Sequence, residues 1–266
     1  MTGIAAMAVV IPAHNEQALL PAALSAVSRA ARHPALASTR LVVVVAADAC
    51  TDATRSVAHG AGALVAPLDA RNPGRARAAG AAHALRTLGL DPGAVWIAST
   101  DADSEVPRRW LAHQLACAGQ GWDAVVGTVR PHGWPPALGD VISRHLREYE
   151  AAGRHPGRPD LHPHVHGANL GVRADAYLDC GGYPALATGE DHALVAALRT
   201  GGHRVLRTRR FPVLTSARLT ARARGGYGDH LGRLAEPALR IGPDTAGGAG
   251  GPCRGSVTGT GGGGFP

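Results

Sequence analysis

Short apolar runs alternate along the chain with longer segments in which apolar residues recur at helical spacing. Ala8–Ile11, Leu41–Ala46, Ala63–Ala66 and Val95–Ala98 are brief apolar stretches, mostly Val, Ile, Leu and Ala, the pattern of strands buried on both faces of a parallel sheet. Between them, Glu16–Ala31, Asp52–His59 and Arg75–Leu88 are rich in Ala, Leu and Arg and predict helices. This β-α-β-α-β order predicts an α/β fold: an open, mainly parallel central sheet with helices on both faces and ligands at the carboxyl ends of its strands. A helix over Pro107–Ala118 and a strand at Ala124–Thr128 extend the series. Beyond them the rhythm breaks. Segment 131–165 is rich in Pro, His and Gly, with one helix expected over Ala137–Ala152. A strand at Asn169–Val172, a helix near Ala174–Asp179, a Gly-Gly turn, a helix from Glu190 to Arg199 and a strand at Arg204–Leu206 follow. Gly242 to Pro266 holds 11 glycines and almost no apolar side chains, so it cannot bury a core and is expected to be disordered. The organisation expected is one domain, 1–241, with a glycine-rich tail, 242–266.

At 266 residues and 45% hydrophobic content the chain can bury a real core and is too apolar to be disordered. Its 27 basic residues are all Arg. Without lysine there is no Schiff-base or pyridoxal-phosphate anchor, no Walker A loop and no kinase β3 lysine. The net charge of +7 raises the question of nucleic acid, but the arginines are spread along the chain and aromatics are only 4%, too few for a base-stacking platform. No nucleic-acid partner is expected; a positive surface equally suits nucleotide phosphates or an anionic membrane face. The four cysteines, Cys50, Cys117, Cys180 and Cys253, form no C-x-x-C pair, which argues against a disulfide framework or zinc site and for a reducing compartment. The longest apolar stretch, Leu41 to Ala47, is far below the roughly 20 residues of a membrane span, and the N-terminus lacks a leader's basic region. A cytoplasmic protein is expected, with peripheral membrane contact left open.

Carboxylates fall where strands end or helices begin: Asp48 after Leu41–Ala47, Asp101 and Asp103 after Val95–Thr100, and Asp191, preceded by Glu190, at a helix start. Strand-end carboxylates of an α/β sheet converge on one rim, which suits a divalent cation on a phosphorylated ligand. The Asp101-Ala102-Asp103 pair can share such a cation; helix N-capping ahead of Pro107 explains the same residues, as it explains Glu190. His162, His164 and His166 alternate and would share one face of an extended segment, compatible with a transition-metal site, although three histidines in an irregular loop are more often solvated. His230 is a candidate third metal ligand, and Arg218, Arg222 and Arg224 either close over a diphosphate or form a solvated basic face.

Six segments, in order, resemble family 2 glycosyltransferases. Val9-Val10-Ile11-Pro12-Ala13-His14-Asn15-Glu16 is similar to the family's opening strand and loop, and Ala47-Asp48-Ala49-Cys50-Thr51-Asp52-Ala53-Thr54 to its D-D-x-S-x-D-x-T segment. Asn72-Pro73-Gly74-Arg75-Ala76-Arg77-Ala78-Ala79-Gly80 resembles its Gly-Lys/Arg segment, and Thr100-Asp101-Ala102-Asp103 its D-x-D signature. His166-Gly167-Ala168-Asn169-Leu170-Gly171-Val172-Arg173, then Gly181-Gly182-Tyr183 with Gly189-Glu190-Asp191, complete the set, covering residues 8 to 210. The departures are Ala47 for Asp, Cys50 for Ser and Gly80 for Asn.

The resemblance implies the GT-A, Rossmann-like nucleotide-diphospho-sugar transferase fold, with a nucleotide-binding half, 1–128, and an acceptor and catalytic half, 129–241. It implies that Pro12, Ala13, Asn15 and Glu16 line the nucleotide pocket, that Asp48 faces the base, and that Arg75 or Arg77 lies near base or phosphates. Asp101, with Ala102, would meet the ribose and the metal, and Asp103 would hold Mg²⁺ or Mn²⁺. Asp191 would be the general base of an inverting, hexosyltransferase-type transfer, with Asn169 and Glu190 on the acceptor side. The donor would be a UDP-, GDP- or TDP-linked sugar and the acceptor a hydroxyl compound. A retaining outcome stays open, as does a non-catalytic nucleotide-binding or scaffold protein that kept the fold. A sugar-nucleotide pyrophosphorylase would need a glycine-rich loop after the first strand, and Pro12-Ala13-His14-Asn15 lacks it.

Overall fold

The computed structural model describes residues 3–134, 138–154, 157, 160–218 and 232–234. Its central feature is a seven-stranded sheet in the order β3-β2-β1-β4-β8-β6-β9. The strands are β1 (Ala6–Ala13), β2 (Arg40–Asp48), β3 (Leu64–Leu68), β4 (Val95–Ser99), β6 (Ala124–Val126), β8 (Leu170–Arg173) and β9 (Val205–Arg207). β1 pairs in parallel with β2 and β4, and β2 with β3, as the apolar runs predict. β8 runs antiparallel between β4 and β6. A second sheet joins β5 (Ser104–Glu105), β10 (Val213–Ser216) and β7 (Val129–His132), in the order β5-β10-β7.

Alternation along β1 divides the interior in two. Ala6, Ala8 and Val10 face a core built with α3 (Pro73–Leu88), α6 (Ala174–Asp179) and α7 (Glu190–Thr200). Met7, Val9 and Ile11 face the other, built with α1 (Leu20–Ala31), α2 (Thr54–Gly60) and α4 (Trp110–Gly119). Pro12 is tolerated on a central strand because pairing with β4 ends at Val10. α3 presses directly on β1: a Cβ on Gly80 would lie 2.6 Å from the Val10 side chain. The asparagine common at this place in the family would not fit here.

Local chemistry moves the predicted ends. α1 begins at Leu20 rather than Glu16, because Asn15 adopts a left-handed φ of 54° and the following residues turn. α2 begins at Thr54 rather than Asp52, whose carboxylate instead accepts the Thr54 N–H at 2.9 Å. α3 begins two residues early, at Pro73, because the Asn72 side chain caps it, accepting Arg75 N–H at 2.9 Å. It ends at Gly89, left-handed with φ 60°. The helix expected over Ala137–Ala152 is α5 (Gly139–Ala151), and Ala137 lies outside the described residues. So does the tail, 242–266. Among the described residues no helix is long and apolar enough to cross a membrane.

Candidate active site

A cleft of about 590 Å³ opens at the carboxyl ends of β1, β2 and β4, between the N-terminal ends of α3 and α7. Pro12, Ala13, Glu16 and Asp48 line one side; Asp101, Ala102 and Asp103 lie at its centre; Glu190 and Asp191 close the other.

Asp48, buried at the end of β2, accepts three backbone N–H groups: Ala70 at 2.7 Å and Arg71 at 2.8 Å on one oxygen, Asn72 at 2.7 Å on the other. These bonds hold the loop between β3 and α3, and with it Arg71, a non-glycine residue at φ 47°. Asn15 performs the same service for the loop after β2, its Oδ1 accepting Thr51 N–H at 2.8 Å, and it does not itself line the cleft. Ala47 is fully buried, and the Cys50 thiol donates to the Ala13 carbonyl at 3.3 Å, where a serine hydroxyl would also reach.

Arg77 is buried at the floor and spends its guanidinium on the protein. Nε donates to Glu190 at 3.0 Å, Nη1 to the Ser99 hydroxyl at 2.6 Å and Nη2 to Asp101 at 2.5 Å. Burial opposes its charge, but Asp101, Tyr183 and Glu190 outweigh it and hold the group above the ordinary arginine range. Arg77 thus ties α3, β4 and α7 together, and it touches the cleft as part of the frame. Arg75 is exposed and outside the lining.

The central carboxylates meet a residue from the far end of the chain. Arg218 donates to both Glu16 oxygens, at 2.9 and 2.5 Å, and lies 2.9 Å from Asp103. Burial and the Asp101 charge push the Asp103 carboxyl up to about 6, against the pull of Arg218. Of the other two arginines grouped with it in the sequence, Arg222 and Arg224, neither lies in the described residues; nor does His230. Among the described residues no three His, Cys, Asp or Glu side chains cluster as a metal site.

On the opposite side Asp191 accepts the Gly167 N–H at 2.7 Å on Oδ2 and the His192 N–H at 2.7 Å on Oδ1. Glycine is required at 167, where a Cβ would fall 2.4 Å from the Arg77 guanidinium. Asn169 is buried behind the floor: its Oδ1 accepts the Trp110 indole N–H at 2.8 Å and its Nδ2 donates to Thr128 O at 2.8 Å. It is not in the cleft lining.

The alternating histidines do share a face, as expected, but they are packed rather than solvated. His162, His164 and His166 stack at ring separations of 5.9 and 6.1 Å, and Tyr149 of α5 stacks on His164 at 3.7 Å. Backbone carbonyls meet Nε2 of two of them: His162 Nε2 lies 3.1 Å from both Val126 O and Thr208 O, and His164 Nε2 lies 2.9 Å from Tyr149 O. His14, Arg71, Gly167 and Ser216 also line the cleft. His14 and Gly167 stand within the motif segments without an assigned role, and Arg71 and Ser216 stand outside them; backbone position brings all four to the cleft.

The family profile described as glycosyl transferase family 2 matches residues 8–180. No curated protein matches the chain in sequence. Among solved structures, the chain is similar to TarS 1-349 of S. aureus in complex with UDP-GlcNAc, at 14% identity and a TM-score of 0.58, over 88% of this chain and 66% of that one. It is similar to the mannosyltransferase PcManGT of Pyrobaculum calidifontis in complex with GDP-Man and Mn²⁺, at 20% identity and a TM-score of 0.57, over 89% of this chain and 64% of that one. A third is glucosyl-3-phosphoglycerate synthase of Mycobacterium tuberculosis with Mg²⁺ and UDP, at 17% identity and a TM-score of 0.52, over 88% of this chain and 76% of that one. The chain therefore spans about two thirds of the length of the first and second of these, and the shared architecture is the GT-A fold.

Proposed function

The chain belongs to glycosyltransferase family 2, and on that premise we propose that it moves a sugar from a nucleoside-diphosphate sugar to a hydroxyl acceptor with inversion, Asp191 acting as the general base. The observation that carries the reading is the placement of Asp191. It stands in the cleft across from Asp101 and Asp103, its carboxylate oriented by the Gly167 and His192 N–H groups. Asp191 takes the proton of the acceptor hydroxyl as that oxygen attacks the anomeric carbon. The bond from that carbon to the diphosphate oxygen breaks on the opposite face, and the nucleoside diphosphate leaves with its electrons. Base assistance of this kind is typically worth a factor of about 10² to 10⁴.

Asp48, the loop at 70–72 and His14 form the end that would receive the base, with Pro12 and Ala13 as its floor. Asp101 and Asp103 would hold a divalent cation, Mg²⁺ or Mn²⁺, together with diphosphate oxygens. The donor set suits it: two hard carboxylates, one raised to about 6 partly by the charge of the other, with phosphate and water to complete the shell. When bound, the cation would neutralise charge on the leaving diphosphate. Arg218 adds a second positive group at the same place. The solved relatives carry UDP- or GDP-linked ligands, two of them with Mn²⁺ or Mg²⁺, which makes UDP and GDP sugars the first donors to try.

The test begins with melting temperature against UDP, GDP, TDP and CDP, with and without Mn²⁺. A ligand at about 100 times its dissociation constant stabilises by roughly 2.7 kcal/mol, a readable shift. The expected result is a metal-dependent shift for one nucleotide, abolished in Asp103→Ala and retained in Asp191→Asn. Turnover of the matching sugar nucleotide should then be lost in Asp191→Asn. Binding with no turnover of any donor by the native chain would replace the reading with a non-catalytic one.

A further inference from the structure

We propose that Tyr149 is a positioning residue for Asp191, acting through His166 and the Gly167 peptide; the inference rests on the reading of Asp191 as the base. Tyr149 is buried on α5 and does not line the cleft, whereas His166 does. The phenol oxygen accepts the Val129 N–H at 3.2 Å and lies 2.9 Å from His166 Nε2. A phenol has one proton to give. In the arrangement proposed, the phenol gives that proton to Nε2 and the imidazole carries its own on Nδ1; the reverse tautomer, with Nε2–H donated to the oxygen's second lone pair, is the alternative that the test below reads. The surroundings favour this neutral form, since burial holds His166 down at about 3 and its neighbours His164, His162 and His192 act the same way.

The next peptide is the one that holds Asp191. Gly167 donates its N–H to Asp191 Oδ2 at 2.7 Å, and its carbonyl faces Arg77 Nη1 at 3.4 Å. A glycine has no side chain to locate it, and the Arg77 guanidinium leaves no room for one. The peptide that carries this N–H is held at its His166 carbonyl, which accepts the Asn169 N–H at 3.0 Å, and the ring of His166 is the anchored side chain on its N-terminal side. The Tyr149 hydroxyl also ties that anchor to Val129 at the start of β7. The pair thus joins α5, β7 and the carboxylate-binding peptide across a segment that has no regular secondary structure.

Tyr149→Phe removes the hydroxyl and keeps the ring that stacks on His164. In ¹⁵N-labelled protein, the ring nitrogens of His166 report the tautomer and the Gly167 amide proton reports the bond to Asp191. The expected result is an unprotonated Nε2 in the native chain and a Gly167 amide that moves upfield in both Asp191→Asn and Tyr149→Phe. In Tyr149→Phe the nucleotide-induced melting shift should be unchanged. Release of nucleotide from UDP-glucose or GDP-mannose should show kcat about tenfold lower at an unchanged donor KM, the signature of a misplaced group rather than a damaged donor site. A proton on Nε2 in the native chain overturns the inference. So does a Gly167 amide that moves in Asp191→Asn but stays in place in Tyr149→Phe. An Asp191→Asn protein that shifts the Gly167 amide yet releases nucleotide at the native rate overturns the base reading alone.

Discussion

The two walls of the cleft are built in different ways. The wall proposed to receive the donor sits on the carboxyl ends of parallel strands that satisfy one another's backbone groups, so its polar side chains are left to arrange loops: Asp48 holds 70–72 and Asn15 holds 51–52. The opposite wall, which Val165 and His166 line, continues into an irregular segment, 161–164, whose carbonyls pair with no strand among the described residues. Side chains take that part. Arg207 Nη1 donates to the carbonyls of His162, Pro163 and His164 at 3.3, 3.0 and 2.8 Å, and Arg209 reaches Leu161 O and Ala152 O at 3.3 and 2.6 Å. Arg207 and Arg209 are here the substitute for a sheet. A wall resting on paired strands should tolerate side-chain changes other than at its loop-holding Asp48 and Asn15, and a wall held throughout by arginines should not.

The largest expected effect lies where the walls meet. Arg77 joins them, and Arg77→Met would leave Glu190 and Asp101 without their shared cation. Removing one partner of a buried ion pair costs about 3–5 kcal/mol, so the urea midpoint should fall steeply and nucleotide stabilisation should vanish with it. A fall of under 1 kcal/mol would mean that the walls stand independently.

Next comes acid. His162 is buried, with Nε2 between two carbonyls, and among the described residues its Nδ1 has no partner. A second proton would have nowhere to bond, and burial holds the group down at about 4. With a folded value below the unfolded one, the contribution to stability is full above about pH 6.5 and is lost as the pH falls towards 4. Between pH 7 and pH 5 this histidine alone should cost about 2 kcal/mol, a loss that His162→Asn should reduce. Equal urea midpoints at the two pH values would show that the imidazole is solvated.

A smaller effect separates the neighbouring arginines. Arg207→Ala leaves three carbonyls without their donor and should cost about 1–2 kcal/mol. Arg210 is exposed, its nearest carboxylate Asp160 at 3.9 Å, and Arg210→Ala should change stability by less than about 0.5 kcal/mol. Parallel urea titrations decide it, and equal losses would remove the distinction between clamp and surface charge.

The same contrast explains what could be read from the sequence. The parallel strands and their flanking helices were legible because burial on two faces writes uninterrupted apolar runs. Asp101, Asp103, Glu190 and Asp191 were placed in one cleft because strand ends and helix starts converge in such a sheet. Arg77 was found by its motif, but its engagement with Glu190 and Asp101 was not, since a residue type does not reveal whether its charge faces outward or is consumed within. The resemblance put Asn169 on the acceptor side of the cleft; it turns inward to Trp110 and Thr128. The histidine stack was hidden for a related reason: alternation gives a common face, and only the packing of α5 against it decides that the face is buried.

The smallest effect tests the donor wall at Cys50, whose thiol donates to the Ala13 carbonyl at 3.3 Å. Serine is common here in the family, and Cys50→Ser keeps a donor of similar size within reach of the same carbonyl. A hydroxyl forms a shorter and stronger bond than a thiol, while it gives up part of the thiol's apolar burial. These terms oppose each other in a half-buried position, so stability should change by less than about 0.5 kcal/mol. The melting shift induced by the bound nucleotide should be unaltered, because Asp48 and Asn15 hold the surrounding loops through backbone N–H groups that the exchange leaves in place. A change in that shift comparable to the effect of Arg207→Ala on stability would show that this wall, too, depends on the identity of its side chains.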